Sequence, residues 1–142
     1  MLKILLSSMA LSVSLLAGEI SVAVAANLSD AIEALKAEFV KTNLHTKVNT
    51  VLGASGKFAT QIKAGAPFDI FMSADMNFPE TLYAEKWAVT KPMVYASGAL
   101  AMVSTRGVDL SKGMALLESA SIEKIALANP KTAPYGTASI EA

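Results

Sequence analysis

Three short polar segments each occur where a predicted strand passes into a predicted helix. Residues 26–27 (Ala-Asn) follow the first strand, residues 54–56 (Ala-Ser-Gly) follow the second, and residues 134–136 (Pro-Tyr-Gly) follow the last. Helix N-termini carry unpaired N–H groups and partial positive charge, and ligands of open α/β sheets bind at the carboxyl ends of the strands. The spacing therefore predicts an anion site, with Asn27 and Ser55 as neutral side-chain donors.

The same residues have simpler explanations. Asn and Ser are common helix N-caps, and from spacing alone capping is the commoner role for Asn27 and Ser55. A hydrolase with Ser55 as nucleophile would need a base and the G-x-S-x-G spacing, and neither accompanies it. Lys57 lacks the phosphate-loop pattern around it. The single histidine, His45, and the absence of cysteine leave only carboxylates for a metal cation. We therefore expect no catalytic residue, no metal-cation site and no cofactor.

The elements that must position these residues alternate along the chain. Strands are predicted over residues 20–25, 47–52 and 68–72, and helices over 58–64, 75–85 and a stretch beginning at Asn27. Asn27 is predicted to cap that first helix, whose apolar residues Leu28, Ile32, Leu35 and Phe39 recur on one face. Alternation of strands and helices is typical of an α/β fold with a parallel sheet. Further along, helices are predicted over 111–117 and from 137 onward, with a strand over 124–128.

The N-terminus predicts export. Residues 1–17 combine Lys3, an apolar centre and small residues at the exit, which is typical of a secretory signal cleaved after Ala17 or Gly18. We therefore expect a signal peptide over residues 1–18 and a periplasmic protein. The 12 basic and 12 acidic residues balance, so the chain lacks the charge expected of a protein that binds nucleic acid or an anionic membrane.

Five segments together resemble the periplasmic molybdate-binding proteins of ABC importers. They are VAANL at 24–28, GASGK at 53–57, GAPFDIFMSAD at 65–75, LANP at 127–130 and APYG at 133–136. The resemblance extends from Ile20 to Ala142, and residues 65–75 are its most specific part.

The resemblance implies a two-lobed periplasmic-binding-protein fold of the class II type, with the anion held between the lobes. It implies a first lobe over residues 19–95 and the start of a second over 96–142. The implied ligand is molybdate or tungstate, contacted by Asn27, Ser55, Tyr135 and the backbone of Ala26. The implied partner is the membrane permease of the importer, and a monomer is expected.

Other functions stay open at this point. A predicted helix that barely begins at residue 137 suggests an incomplete second lobe and a first lobe without its returning chain. A fragment of this kind would be marginally folded and unable to hold molybdate. The ligand could also be sulfate or another tetrahedral oxyanion, and a purely structural or interaction domain is a further alternative.

Overall fold

The computed structural model describes residues 18–142, so the predicted signal segment lies outside the described residues except for Gly18. The strands and helices are β1 (Gly18–Ala25), α1 (Ser29–Thr42), β2 (Thr46–Gly53), α2 (Ser55–Lys63), β3 (Ile70–Met72), α3 (Asn77–Ala84) and α4 (Pro134–Glu141). Two 3₁₀ segments, Ala26–Leu28 and Leu110–Glu118, complete the regular structure of this part of the chain. Over the same residues, no helix is long and apolar enough to cross a bilayer.

The three strands form one parallel sheet in the order β2-β1-β3. Ala25 at the end of β1 is paired with Gly53 at the end of β2, and Val24 is paired with Met72 at the end of β3. The predicted α/β fold with a parallel sheet is therefore confirmed. Because the strands are parallel and end in register, all three lead into helices at the same edge of the sheet, called here the carboxyl edge.

Each face of β1 packs against a different helix. Val22 and Val24 form a buried cluster with Ile32 of α1, and Met72 packs against it. Side chains alternate between the faces of a strand, so Ala23 and Ala25 point to the other side. On that side Phe58 of α2 packs edge-on against two further rings, those of Phe68 and Phe71, with centroids 5.6 and 6.4 Å away. These layers hold the sheet rigidly beneath its carboxyl edge.

Three local predictions are wrong. Residues 124–128 form no strand, because no neighbouring strand pairs with them among the described residues, and Ile125 and Leu127 are exposed. The helix expected over 111–117 is a 3₁₀ segment broken at Gly113, which has a φ of 58°. Asn27 does not cap α1, since it lies inside the 3₁₀ turn and Leu28 occupies the N-cap position.

The N-terminus of α4 is held against the rest of the chain by close backbone contacts. The Gly56 amide at the start of α2 donates to the Thr132 carbonyl oxygen at 2.9 Å. Gly136 is buried, and a Cβ added there would overlap the Ala128 carbonyl oxygen and lie 2.7 Å from the carbonyl carbon of Asn129. Only glycine allows α4 to approach the backbone this closely.

The first prediction is that Gly136→Ala destabilises the protein by about 1–3 kcal/mol, because the added methyl group meets backbone that cannot move aside as a side chain could. Denaturant unfolding followed by circular dichroism measures the change. Ile140→Ala on the same helix is the matched control, since Ile140 is 65% exposed and should matter little. Equal stability of Gly136→Ala and the wild type would show that α4 does not hold this position in solution.

Candidate functional site

Three of the predicted ligand residues follow two adjacent strands at the carboxyl edge. Ala26 and Asn27 come directly after β1, and Ser55 begins α2 two residues after β2 ends. The pairing of Ala25 with Gly53 places these two junctions side by side. Ala26 and Asn27 are exposed, whereas Ser55 is only 1% exposed. The edge therefore presents one exposed amide side chain next to one buried hydroxyl.

Ser55 does not cap α2, because Ala54 is the N-cap and no side chain bonds to the helix start. Its Oγ instead accepts a hydrogen bond from the Ala74 amide at 3.1 Å. The next three amides of α2, those of Gly56, Lys57 and Phe58, all donate to backbone carbonyls. Within residues 18–142, the groups at this helix start that remain for a ligand are the hydroxyl proton and the amide of Ser55. Both are neutral donors.

Tyr135 reaches the same edge from the far end of the chain. It is the second residue of α4, and its Oη accepts a hydrogen bond from Asn27 Nδ2 at 3.5 Å. The tyrosine hydroxyl lies so close to Gly98 that a Cβ at position 98 would overlap it. The structure thus brings Asn27 and Tyr135 together, with Ser55 at the neighbouring junction. Their role in holding a ligand stays a prediction.

Two residues at this edge were missed by sequence reasoning. Ser73 follows β3 and is 6% exposed, and Tyr95 donates from its Oη to the Ser73 carbonyl oxygen at 2.7 Å. Partial burial, with a smaller contribution from nearby Tyr135, raises the pKa of Tyr95 above its usual value. Tyr95 is therefore a protonated donor at neutral pH. The sequence signals for Ser73 were its position directly after a predicted strand and its place within residues 65–75.

The third junction at the carboxyl edge is occupied by a carboxylate of the chain itself. Asp75 accepts hydrogen bonds from Ser73 Oγ at 3.0 Å and from the Phe78 amide at 3.5 Å. A carboxylate is favoured at a helix start for the same reason as a bound anion. The start of α3 is therefore already neutralised and does not offer a site for a second anion.

The remaining candidates lie away from this edge. His45 precedes β2, whose eight residues separate it from Ser55 by roughly 25 Å. At that distance His45, the single histidine of the sequence, cannot act as a base for Ser55. Lys57 is exposed on α2. Asp69 accepts from the Ser21 amide through Oδ2 at 2.7 Å, which ties β3 to β1.

Two open cavities lie beside the carboxyl edge, on the side of α3. One, of about 200 Å³, lies between α2 and α3 and is lined by Gly56, Lys63 and Phe78 among others. The other, of about 300 Å³, lies between α3 and α4 and is lined by Asp75, Pro134 and Glu141 among others. Neither is lined by Asn27, Ser55 or Tyr135, so the predicted anion site coincides with neither cavity.

Comparison with known proteins identifies the family to which the chain belongs. Residues 20–142 match the family described as bacterial extracellular solute-binding protein. The molybdate-binding protein ModA of Rhodobacter capsulatus is 40% identical over 134 residues, which are 94% of this chain and 52% of that protein. ModA of Azotobacter vinelandii is 38% identical over 88% of this chain and 50% of that protein.

A solved structure is also similar, with a TM-score of 0.47 and 35% identity over 48% of this chain and 30% of the other. It is described as the substrate binding domain of a molybdenum ABC transporter from Clostridium difficile. The chain spans about half the length of the curated relatives it matches. On the family match over residues 20–142, the chain belongs to the bacterial extracellular solute-binding protein family.

Proposed function

We propose that this chain forms part of a site for molybdate or tungstate in an exported binding protein that delivers the anion to the permease of an ABC importer. The observation that carries the proposal is the meeting of Ala26, Asn27, Ser55 and Tyr135 at one sheet edge from three separate parts of the chain. The two curated relatives that support it are both molybdate-binding proteins. Monomeric function and the absence of a cofactor are part of the same proposal.

The donor chemistry suits a dianion that must be released again. A buried dianion without a counter-charge requires several convergent dipoles, and neutral N–H and O–H groups provide them. Four lysines of the described chain are engaged in ion pairs with glutamates elsewhere, at Lys36, Lys41, Lys47 and Lys63. Release to a permease then breaks hydrogen bonds and no buried ion pair.

Binding without chemical change follows from the same geometry. Among the described residues, the single histidine lies too far from Ser55 to act as a base, and one of the two acceptor positions of Ser55 Oγ is occupied by the Ala74 amide. Its remaining proton makes it a donor to an anionic oxygen. Among tetrahedral anions, selection rests on the size of the space between donors. Sulfate is smaller than molybdate and is expected to bind less tightly.

The second prediction is that Ser55→Ala weakens molybdate binding by about 1.5–3 kcal/mol, roughly ten- to hundredfold, through loss of a donor to a charged group. Isothermal titration of the mature, full-length protein with molybdate, tungstate and sulfate measures the affinities. Ser121→Ala is the matched control, because Ser121 is exposed and bonds only to nearby Ser119. Unchanged molybdate affinity in Ser55→Ala would remove Ser55 from the site.

The third prediction concerns Asn27→Ala, which removes the exposed amide donor. We expect a comparable loss of molybdate affinity by titration. Because Leu28 and not Asn27 holds the N-cap position of α1, we expect thermal stability without ligand to change by less than the ~1 kcal/mol typical of a lost cap. A large fall in stability with unaltered affinity would instead assign Asn27 a structural role.

The fourth prediction concerns export. The protein is expected to accumulate in the periplasm as a mature chain beginning at Gly18 or Glu19. Intact-mass measurement of periplasmic extract checks the N-terminus, and a Lys3→Glu variant, which reverses the charge of the basic start, is expected to accumulate uncleaved in the cytoplasm. A periplasmic mass that still includes residues 1–17 would contradict cleavage.

A further inference from the structure

One peptide group at the carboxyl edge is bonded at both ends by side chains that are distant in sequence. The carbonyl of Ser73 accepts a hydrogen bond from Tyr95 Oη at 2.7 Å. The amide of Ala74, which belongs to the same peptide group, donates to Ser55 Oγ at 3.1 Å. Tyr95 and Ser55 are therefore joined through a single rigid unit, the peptide between residues 73 and 74.

The geometry of a peptide group makes this connection directional. The group is planar, and in a trans peptide the carbonyl and the N–H point in opposite directions. A hydrogen bond that holds the carbonyl direction therefore also holds the N–H direction. Donation to the carbonyl polarises the group as well, which strengthens the bond that its N–H makes to the next acceptor. The hydrogen bond from Tyr95 therefore fixes the direction of the Ala74 N–H and strengthens the hydrogen bond from that N–H to Ser55 Oγ.

The orientation of the Ser55 hydroxyl depends on that bond. A serine hydroxyl has one proton and two acceptor positions, and it rotates to satisfy its partners. Because Ser55 is 1% exposed, water does not provide alternative partners freely. With one acceptor position occupied by the Ala74 amide, fewer directions remain for the proton. A hydroxyl already turned toward an anion loses less rotational freedom on binding than a freely rotating one.

The geometry points to Tyr95 as a positioning residue that orients the Ser55 hydroxyl for the bound oxyanion. This inference rests on the proposed function of Ser55. Tyr95 does not touch the anion in this scheme and acts only through the peptide between Ser73 and Ala74.

The segment that carries Tyr95 also contacts Tyr135. Gly98, three residues later, packs directly against the hydroxyl of Tyr135, the residue that contacts Asn27. The absence of a side chain at position 98 lets this segment lie against Tyr135. Residues 95–98 therefore contact Tyr135 and also Ser73, whose peptide bond to Ala74 leads to Ser55.

The fifth prediction tests Tyr95→Phe, which removes the hydroxyl and keeps the ring. We expect molybdate affinity to fall about two- to tenfold, the loss expected for one weakened hydrogen bond. In a Ser55→Ala background the same change should have no effect on affinity, because Tyr95 acts only through Ser55. Tyr83→Phe is the matched control, since Tyr83 is exposed on α3. Titration of the wild type, Tyr95→Phe, Ser55→Ala and the double variant gives the coupling free energy between Tyr95 and Ser55.

A second readout needs no ligand. The amide proton resonance of Ala74 should move upfield in Tyr95→Phe, because its hydrogen bond to Ser55 Oγ weakens, and Tyr83→Phe should leave it in place. An unmoved Ala74 resonance, or an equal loss of affinity with and without Ser55, would overturn the role of Tyr95. If the full-length wild-type protein binds no molybdate, the proposed function fails, and the Ala74 resonance still decides whether Tyr95 orients Ser55.

Discussion

The parallel pairing of β1 with both of its neighbours is the constraint on which the site depends. Val22 to Ala25 are buried, and Val22 to Val24 are paired with both β2 and β3, so the register of β1 cannot shift without breaking both strand pairings. The pairing of Ala25 with Gly53 and of Val24 with Met72 fixes where the chain leaves the sheet. Asn27, Ser55 and Ser73 lie within three residues of the ends of β1, β2 and β3. The positions of the strand ends therefore determine the distances between these three residues.

Contacts between backbones bring the distant part of the chain to this edge. The Gly56 amide bonds to the Thr132 carbonyl, and Gly136 lies against the backbone of residues 128–129. Both positions are glycine because a side chain would hold the segments apart. Tyr135 then reaches Asn27 across 108 positions of sequence. Small residues therefore bring together the groups that are proposed as donors to the anion.

Features that follow from local sequence patterns could be predicted, whereas features that depend on contacts between residues distant in sequence could not. Alternating apolar runs predicted β1, β2 and β3, and helix-start residues predicted Ser55 and Tyr135 at the edge. Capping by Asn27 was a wrong prediction, because the chain first makes a 3₁₀ turn and the N-cap of α1 is Leu28, one residue later than expected. The strand predicted over residues 124–128 is absent from the described part of the chain, because a β-strand forms only where a neighbouring strand pairs with it. Tyr95 was missed because its bond to Ser73 depends on tertiary placement that local pattern does not encode.

Three helices start near the carboxyl edge, and they differ in whether a side chain of the protein already supplies a negative charge at the helix N-terminus. At α3 the partial positive charge is matched by Asp75, whose carboxylate is bonded to Ser73 Oγ and the Phe78 amide. A dianion beside that carboxylate would be repelled, more strongly as water is excluded. The anion is therefore expected on the β1–β2 side, between Asn27, Ser55 and Tyr135. Ser73 lies between the start of α3 and the β1–β2 side of the edge. Its hydroxyl donates a hydrogen bond to Asp75. Its carbonyl accepts from Tyr95, and the amide of the same peptide group, that of Ala74, donates to Ser55. One residue thus separates the internal carboxylate from the site for an external anion, and it does so with neutral groups alone.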